Sequence, residues 1–289
     1  MIVETQLIAP LSRKVPFRDK SRSFANGVEC RGLAQKAPST MSTSSLEVQS
    51  TPTIRTVPAS GIFENYFYFL MSLLISGIVV YGFSHTINQN LIHPAVPRPL
   101  LLYVHATVFS GWLVFYILQS ALVRTRNVRV HRTIGWFGLA MGALMPVLGV
   151  ATSVTMGRFD TVQLHQTDAE LTLIIPLFDM VVFATSFGLA MYWRTKPEFH
   201  RRLILIACCA LSAAAFGRFP SRILPPLLFY SGVDFLILLG VARDLIVSRS
   251  IHRVYRYALP GIIVGQVVVM YTVTHGPALW MKFAHAVLS

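Results

Sequence analysis

The chain has 289 residues, of which 54% are hydrophobic and only 13% are charged, and its mean hydropathy is +0.57. These values lie outside the range of ordinary soluble domains, in which about a quarter of the residues are charged. The formal net charge of +13 would suggest nucleic-acid binding in a soluble protein, so the positions of the cations decide what the charge means.

The first part of the chain, residues 1–58, is polar. It is rich in Ser, Thr, Pro and Arg and shows no apolar periodicity, so it cannot bury a core of its own. We therefore expect a disordered, basic cytoplasmic tail. The pattern does not favour a secretory signal peptide, because the first apolar stretch begins at about residue 62 and is long enough to span a membrane.

Apolar runs of membrane-spanning length follow the tail. Roughly 20 helical residues cross a hydrocarbon core about 30 Å thick, and backbone amides in lipid must find partners within their own segment. The sequence therefore predicts an all-α fold, a seven-helix transmembrane bundle over residues 59–276, with a short interfacial C-terminal segment at 277–289. The predicted spans are 63–84, 99–123, 134–156, 170–193, 203–219, 226–247 and 258–275.

Basic residues collect in every second loop between the predicted spans. The loops at 124–133, 194–202 and 248–257 hold four, four and three Lys or Arg residues, whereas the alternate loops and the C-terminal segment hold one each. This asymmetry follows the positive-inside rule and predicts a cytoplasmic N-terminus and an external C-terminus. The charge thus indicates topology: we expect contact with the lipid bilayer, with anionic lipid head groups at the inner loops, and not with nucleic acid.

The second predicted helix carries a polar stripe. His105, Trp112 and Gln119 are spaced by seven residues, which places them on one helix face. This stripe either lines a cavity that opens to the outer side, with His105 as a proton carrier or ligand, or fills a contact with a neighbouring helix.

A His-Arg pair opens the third, fifth and seventh predicted helices. Cations at helix N-termini oppose the helix dipole, so helix stability is not their role. We interpret the pairs as interfacial anchors to anionic lipid. The alternative is that the three histidines form a shared cytoplasmic-side site that carries protons or binds metal. The pairs are His131–Arg132, His200–Arg201 and His252–Arg253.

Small residues are concentrated in the third and fifth predicted helices. Gly135, Gly138, Gly142 and Gly149 lie in the third, and the stretch 208–217 lies in the fifth. Small residues allow helices to approach closely where lipid provides no hydrophobic driving force. These two helices are therefore predicted at the centre of the bundle.

Three ionisable residues stand out inside the predicted spans. Asp179 lies in the fourth, Asp234 in the sixth, and Arg218 near the outer end of the fifth. A charge in the middle of a span costs about 2.5–3.5 kcal/mol, so these residues should face inward and pair. Counted at 1.5 Å per residue, both aspartates lie roughly 12–14 Å from the outer surface and His105 about 9 Å from it. His105, Asp179, Arg218 and Asp234 are therefore predicted to form a buried polar site in the outer half of the bundle. The alternative is that they form a purely structural ion-pair network.

Histidines are plentiful on the predicted outer side. Haem held by His105 and one of His85, His165 or His275 is therefore kept as an alternative. The histidine spacing shows no transition-metal ligand motif, so neither a metal nor a cofactor is assigned from the sequence.

Two stretches carry a resemblance: "HATVFSGWLVFYILQSALVRTRNVRVHRTIGWFG" and "EFHRRLILIACCALSAAAFGRFP". They resemble uncharacterised bacterial multi-pass inner-membrane proteins with His-Arg helix entries and, more distantly, small membrane proteins of haem-copper oxidase assembly. The resemblance covers about residues 60–250 and implies residence in the bacterial inner (plasma) membrane, without implying an activity. The matching residues are His105, Gln119, His131, Arg132, Gly135, His200, Arg201 and Arg218.

The sequence favours a non-enzymatic membrane protein that handles protons or a small polar ligand. In this hypothesis Asp179 and Asp234 are proton or cation sites and Arg218 is their counter-charge. The alternatives are a haem-binding protein of electron transfer or oxidase assembly, which uses His105, and a structural membrane scaffold.

Overall fold

A computed structural model describes residues 59–166 and 168–289, without the side chains of residues 59–65. The predicted tail at 1–58 lies outside the described residues. The described residues form helices, turns and loops and no strand, which confirms the all-α prediction. Short π-helical and 3-10 turns lie at Asn88–Ile92 and Pro226–Leu228. The α-helices are α1 Ala59–Ser84, α2 Leu100–Arg124, α3 Val128–Gln163, α4 Ala169–Thr172, α5 Ile174–Tyr192, α6 Pro197–Leu211, α7 Ala213–Phe216, α8 Phe229–Ser248, α9 Arg253–His275 and α10 Ala278–Leu288.

Six helical segments in the described part of the chain are long and apolar enough to cross a membrane. They coincide with six of the seven predicted spans, as expected for a multi-pass membrane protein. The remaining predicted span forms α8, which has 20 residues but carries Asp234, Arg243 and Asp244. The six segments are Tyr66–Ser84, Leu100–Arg124, Val128–Gln163, Ala169–Tyr192, Pro197–Phe216 and Arg253–His275.

The third helix is longer than its predicted span of 134–156. α3 has 36 residues, or about 54 Å at 1.5 Å per residue, and continues through Pro146. It begins inside the basic loop, so His131 and Arg132 lie in its first turn and a half.

The glycines of α3 provide a packing surface. A Cβ at Gly142 would meet the ring of Phe187, and one at Gly149 would meet the side chain of Met180, both on α5. A Cβ at Gly135, in contrast, would meet nothing within 4 Å. The glycines therefore allow close contact with α5 in the middle of α3 and not at its start. The segment of α3 is less buried than Ala169–Tyr192 and Pro197–Phe216, so the predicted central position of this helix is not confirmed.

The most buried of the spanning segments is the one that contains α6. Its residues Leu205–Cys209 are each at most 1% exposed, and α6 packs against α1, α5, α8 and α9. This position agrees with the small residues of the stretch 208–217, because small side chains permit contacts with several helices at once.

The C-terminal segment forms α10, which packs against α3 and α4. The indole Nε1 of Trp280 donates to the carbonyl oxygen of Glu170 at 2.9 Å, and Arg158 Nε donates to the carbonyl oxygen of Val287 at 2.9 Å. Leu279 and Phe283 remain exposed. The predicted interfacial segment therefore adopts a helix with one face on the bundle.

Candidate functional site

Asp179 has a neutral partner. It lies on α5, is 6% exposed, and accepts a hydrogen bond at Oδ1 from Tyr230 Oη of α8 at 3.1 Å. Tyr230 is itself 5% exposed. Among the described residues, no cation comes within ion-pair distance of Asp179, so this carboxyl group is held by a phenol and not by a counter-charge.

Asp234 repeats this arrangement on α8. Gln266 of α9 is buried and donates from Nε2 to Asp234 Oδ1 at 3.0 Å. Tyr230 and Asp234 are four residues apart, so they lie on the same face of α8. Asp179, Tyr230, Asp234 and Gln266 thus form a line of polar groups between α5, α8 and α9, which we call the α8 polar line.

Arg218 and His105 lie apart from the aspartates. The Arg218 guanidinium donates to the carbonyl oxygen of Ala214 and lies over the ring of Phe83 at 4.4 Å. In the described part of the chain it forms no ion pair with either aspartate, in contrast to its predicted role as their counter-charge. The reason is local: the last carbonyls of α7 have no partner within the helix and attract a nearby donor.

His105 stacks on Phe109 with the ring centroids 3.9 Å apart, and its Nδ1 is enclosed without a hydrogen-bond partner. Arg218 lies within electrostatic range of this imidazole. The four residues predicted to form one site therefore do not form a single group. Asp179 and Asp234 belong to the α8 polar line, whereas His105 contacts Phe109 and Arg218 contacts Ala214 and Phe83.

A second polar group joins α6 to α8 and was missed by the sequence prediction. Arg202 is 2% exposed and Asp244 0%. Arg202 Nε donates to Asp244 Oδ2 at 2.8 Å and Nη2 donates to Oδ1 at 2.6 Å, so the pair is bidentate. Arg202 Nη1 also donates to Glu198 Oε2 at 2.6 Å, and Arg243 Nη1 donates to Asp244 Oδ1 at 3.0 Å. We call these four residues the basic-side cluster.

Aromatic side chains surround the basic-side cluster. The guanidinium groups of Arg201 and Arg243 lie over the ring of Tyr68 of α1 at 5.3 and 5.5 Å. Tyr255 of α9 is 2% exposed and lies within electrostatic range of Asp244. The cluster thus connects four helices, α1, α6, α8 and α9.

The three His-Arg entries lie at one end of the bundle, hereafter the basic end. His131 is within electrostatic range of His200, and the rings of His252 and Phe199 are 4.7 Å apart. The histidines nevertheless have different hydrogen-bond partners. His200 Nδ1, for example, donates to the carbonyl oxygen of Ala190 at 2.9 Å. Within the described residues, no group of three or more His, Cys, Asp or Glu side chains could hold a metal ion.

His252 caps α9. Its Nδ1 accepts a hydrogen bond from the backbone N–H of Val254 at 3.2 Å, which requires an unprotonated Nδ1. Burial and the Arg202 guanidinium lower the pKa of His252 below its ordinary value of 6.5. The folded state therefore disfavours the charged imidazole, and stability that is present above the unfolded pKa is lost as the pH falls below it.

We expect the melting temperature to fall less in His252→Asn than in the parent between about pH 7 and pH 5, because Asn caps a helix at either pH. Thermal unfolding in detergent at both pH values measures this difference. Equal losses in the two proteins would show that His252 protonation does not affect the fold.

The histidines of the haem alternative have local contacts. His85 Nδ1 donates to the carbonyl oxygen of Tyr81 at 2.8 Å, and His275 Nδ1 lies 3.1 Å from that of Tyr271. His165 has a left-handed backbone conformation, with φ at 52°. Haem binding through His105 stays a prediction.

No family model matches this chain, and neither a curated protein nor a solved structure matches it.

Proposed function

We propose that the chain is a seven-helix membrane protein in which α8 is the remaining span. Its 20 residues are long enough to cross the hydrocarbon core. The charged side chains that make α8 less apolar have partners inside the protein: Asp244 forms ion pairs with Arg202 and with Arg243 of α8 itself, and Asp234 has a neutral hydrogen-bond donor in Gln266. The basic loops favour a cytoplasmic N-terminus and an external C-terminus, and the sequence resemblance favours the bacterial inner membrane.

Within this bundle, the α8 polar line binds protons. The observation that carries this proposal is Asp179: a 6% exposed carboxyl group on a spanning segment whose hydrogen-bond partner is a neutral phenol. A carboxylate without a counter-charge in such a place costs several kcal/mol, whereas a bound proton removes the charge. Asp234 provides a second carboxyl group near it, again with a neutral partner.

The alternative to proton binding is a purely structural role, in which the two carboxyl groups only join helices. The anionic character of the site argues for a positively charged ligand, because Tyr230 and Gln266 leave the charge of both aspartates uncompensated. The tight burial of Asp179, Tyr230 and Gln266 favours a proton over a larger cation, which would need several oxygen ligands around it.

Infrared difference spectra between high and low pH test this proposal. The parent should show the carbonyl band of a protonated carboxyl group in an apolar environment, and this band should be lost or shifted in Asp179→Asn and altered in Asp234→Asn. The matched control is Asp168→Asn, because Asp168 is exposed at the start of α4. Identical bands in the parent and in both buried-aspartate variants would contradict proton binding and leave the structural role.

A further inference from the structure

Five helices close a ring next to the α8 polar line. α1 packs against α2, α2 against α3, α3 against α5, α5 against α6, and α6 against α1. The middle of the ring is filled by aromatic side chains: the Trp112 ring lies 5.7 Å from Phe183 and from Phe187, both on α5. Trp112 is 4% exposed, so its face of α2 points into the ring.

Gln119 lies on this inward face, seven residues after Trp112. Both its amide nitrogen and its amide oxygen are enclosed without a hydrogen-bond partner. A buried polar group without a partner costs about 1–3 kcal/mol, so an amide with neither atom satisfied needs an explanation. A polar ligand with hydrogen-bond acceptors and donors would provide one.

Three more polar atoms without a hydrogen-bond partner lie close to Gln119 or at the same end of the ring. The His131 ring faces the backbone carbonyl of Gln119 as a hydrogen-bond donor, and its Nδ1 is enclosed without a partner. The Nε of Arg201 and the hydroxyl of Tyr68 are also enclosed without partners, and these two side chains contact each other. Counted at 1.5 Å per residue, Gln119, His131 and Arg201 lie within about 8 Å of the basic ends of their helices.

The chemistry of these groups favours an oxyanion. An N–H of arginine, a phenol and an amide can all donate to oxygen acceptors, and Arg201 brings a positive charge. The free Nδ1 of a neutral His131 can accept from the hydroxyl of a singly protonated phosphate. Glu198 accepts from Arg201 Nη2, but the Nε of the same guanidinium stays unpaired. The basic loops at 124–133 and 194–202 border this end of the ring and add further positive charge.

We propose that Gln119, His131, Arg201 and Tyr68 form a phosphate-binding site at the basic end of the five-helix ring. The ligand carries a phosphate group with at most one ester bond, and it is either the head group of an anionic lipid or a soluble phosphate. The site lies at the depth that head groups reach, and it is independent of proton binding at the α8 polar line.

Melting temperatures of the full-length protein in mixed micelles test the site. Phosphatidic acid, whose head group is a phosphate monoester, should raise the melting temperature of the parent in a saturable way. Gln119→Leu and Arg201→Met should weaken this response at least ten-fold in the lipid concentration required. Gln119→Leu should also fold, because it removes an unpartnered amide and keeps the side-chain size. The matched control Arg132→Met removes an exposed cation near the same end and should respond as the parent does.

Inorganic phosphate distinguishes the two sources of the ligand. If it reproduces the saturable effect in neutral micelles and both site variants lose that effect, the site takes soluble phosphate. If only phosphatidic acid acts, the ligand is a lipid. An equal loss of response in Arg132→Met and Arg201→Met would indicate unspecific attraction to the basic surface, and no response to either probe would also overturn the proposal.

Discussion

Replacing Arg202 with Ala should destabilise the protein by about 3–5 kcal/mol, because it leaves Asp244 as a buried charge without its bidentate partner. The two side chains are 2% and 0% exposed, and their hydrogen bonds measure 2.6 and 2.8 Å. A loss of this size lowers the melting temperature of a protein this large by roughly 10 °C. Thermal unfolding in detergent, followed by far-ultraviolet circular dichroism, measures it.

Two variants show whether the bidentate geometry or only the charge matters. Arg202→Lys keeps the charge but loses the planar fork of donors, so we expect a loss between those of the parent and Arg202→Ala. Arg201→Ala removes the neighbouring cation, whose partner Glu198 is 56% exposed, and should cost less than about 1 kcal/mol. If Arg202→Ala melted at the temperature of the parent, the pair would not contribute to stability.

The basic-side cluster could not be predicted from the sequence. Arg202 lies at the start of an apolar run and was counted with the cations of the loop at 194–202, although it is buried in α6. Arg243 and Asp244 lie in the predicted span 226–247, and their adjacent opposite charges were the available signal. Pairing across 42 residues depends on how α6 and α8 pack, and hydropathy does not contain that information.

The spans themselves were predictable because lipid imposes a minimum length and an apolar composition on each helix. Six of them coincide with segments of the structure, and the larger differences are at the ends of the third span and at the starts of the fifth and seventh. α3, for example, extends into both flanking loops, since a helix does not need to end where the membrane does. Polar residues can continue a helix in water as long as no turn signal stops it.

The aspartates of the α8 polar line are predictable from the sequence, because a charge in lipid is costly whatever the fold. Their partners are not. A charge suggests a counter-charge, so Arg218 was expected, but the structure provides Tyr230 and Gln266. Neutral polar residues are common enough in apolar helices that neither one stands out before the helices are packed together.

Gly82 provides the second prediction of large effect, at the contact of α1 with α7. A Cβ at this position would lie 2.8 Å from the carbonyl carbon of Ala215 and 2.9 Å from its Cα, and would also meet the carbonyl oxygen. These are backbone atoms, which cannot rotate away as a flexible side chain can. We therefore expect Gly82→Ala to destabilise the protein by about 1–3 kcal/mol, although Ala is the better helix former.

Gly77 is the matched control on the same helix. A Cβ there meets nothing within 4 Å, so Gly77→Ala should raise stability by up to about 1 kcal/mol through helix propensity alone. The two substitutions are chemically identical and should have opposite signs in thermal unfolding. If both raised the melting temperature, α1 would have room to move away from α7. The close approach at Gly82 would then not be required to hold the helices together.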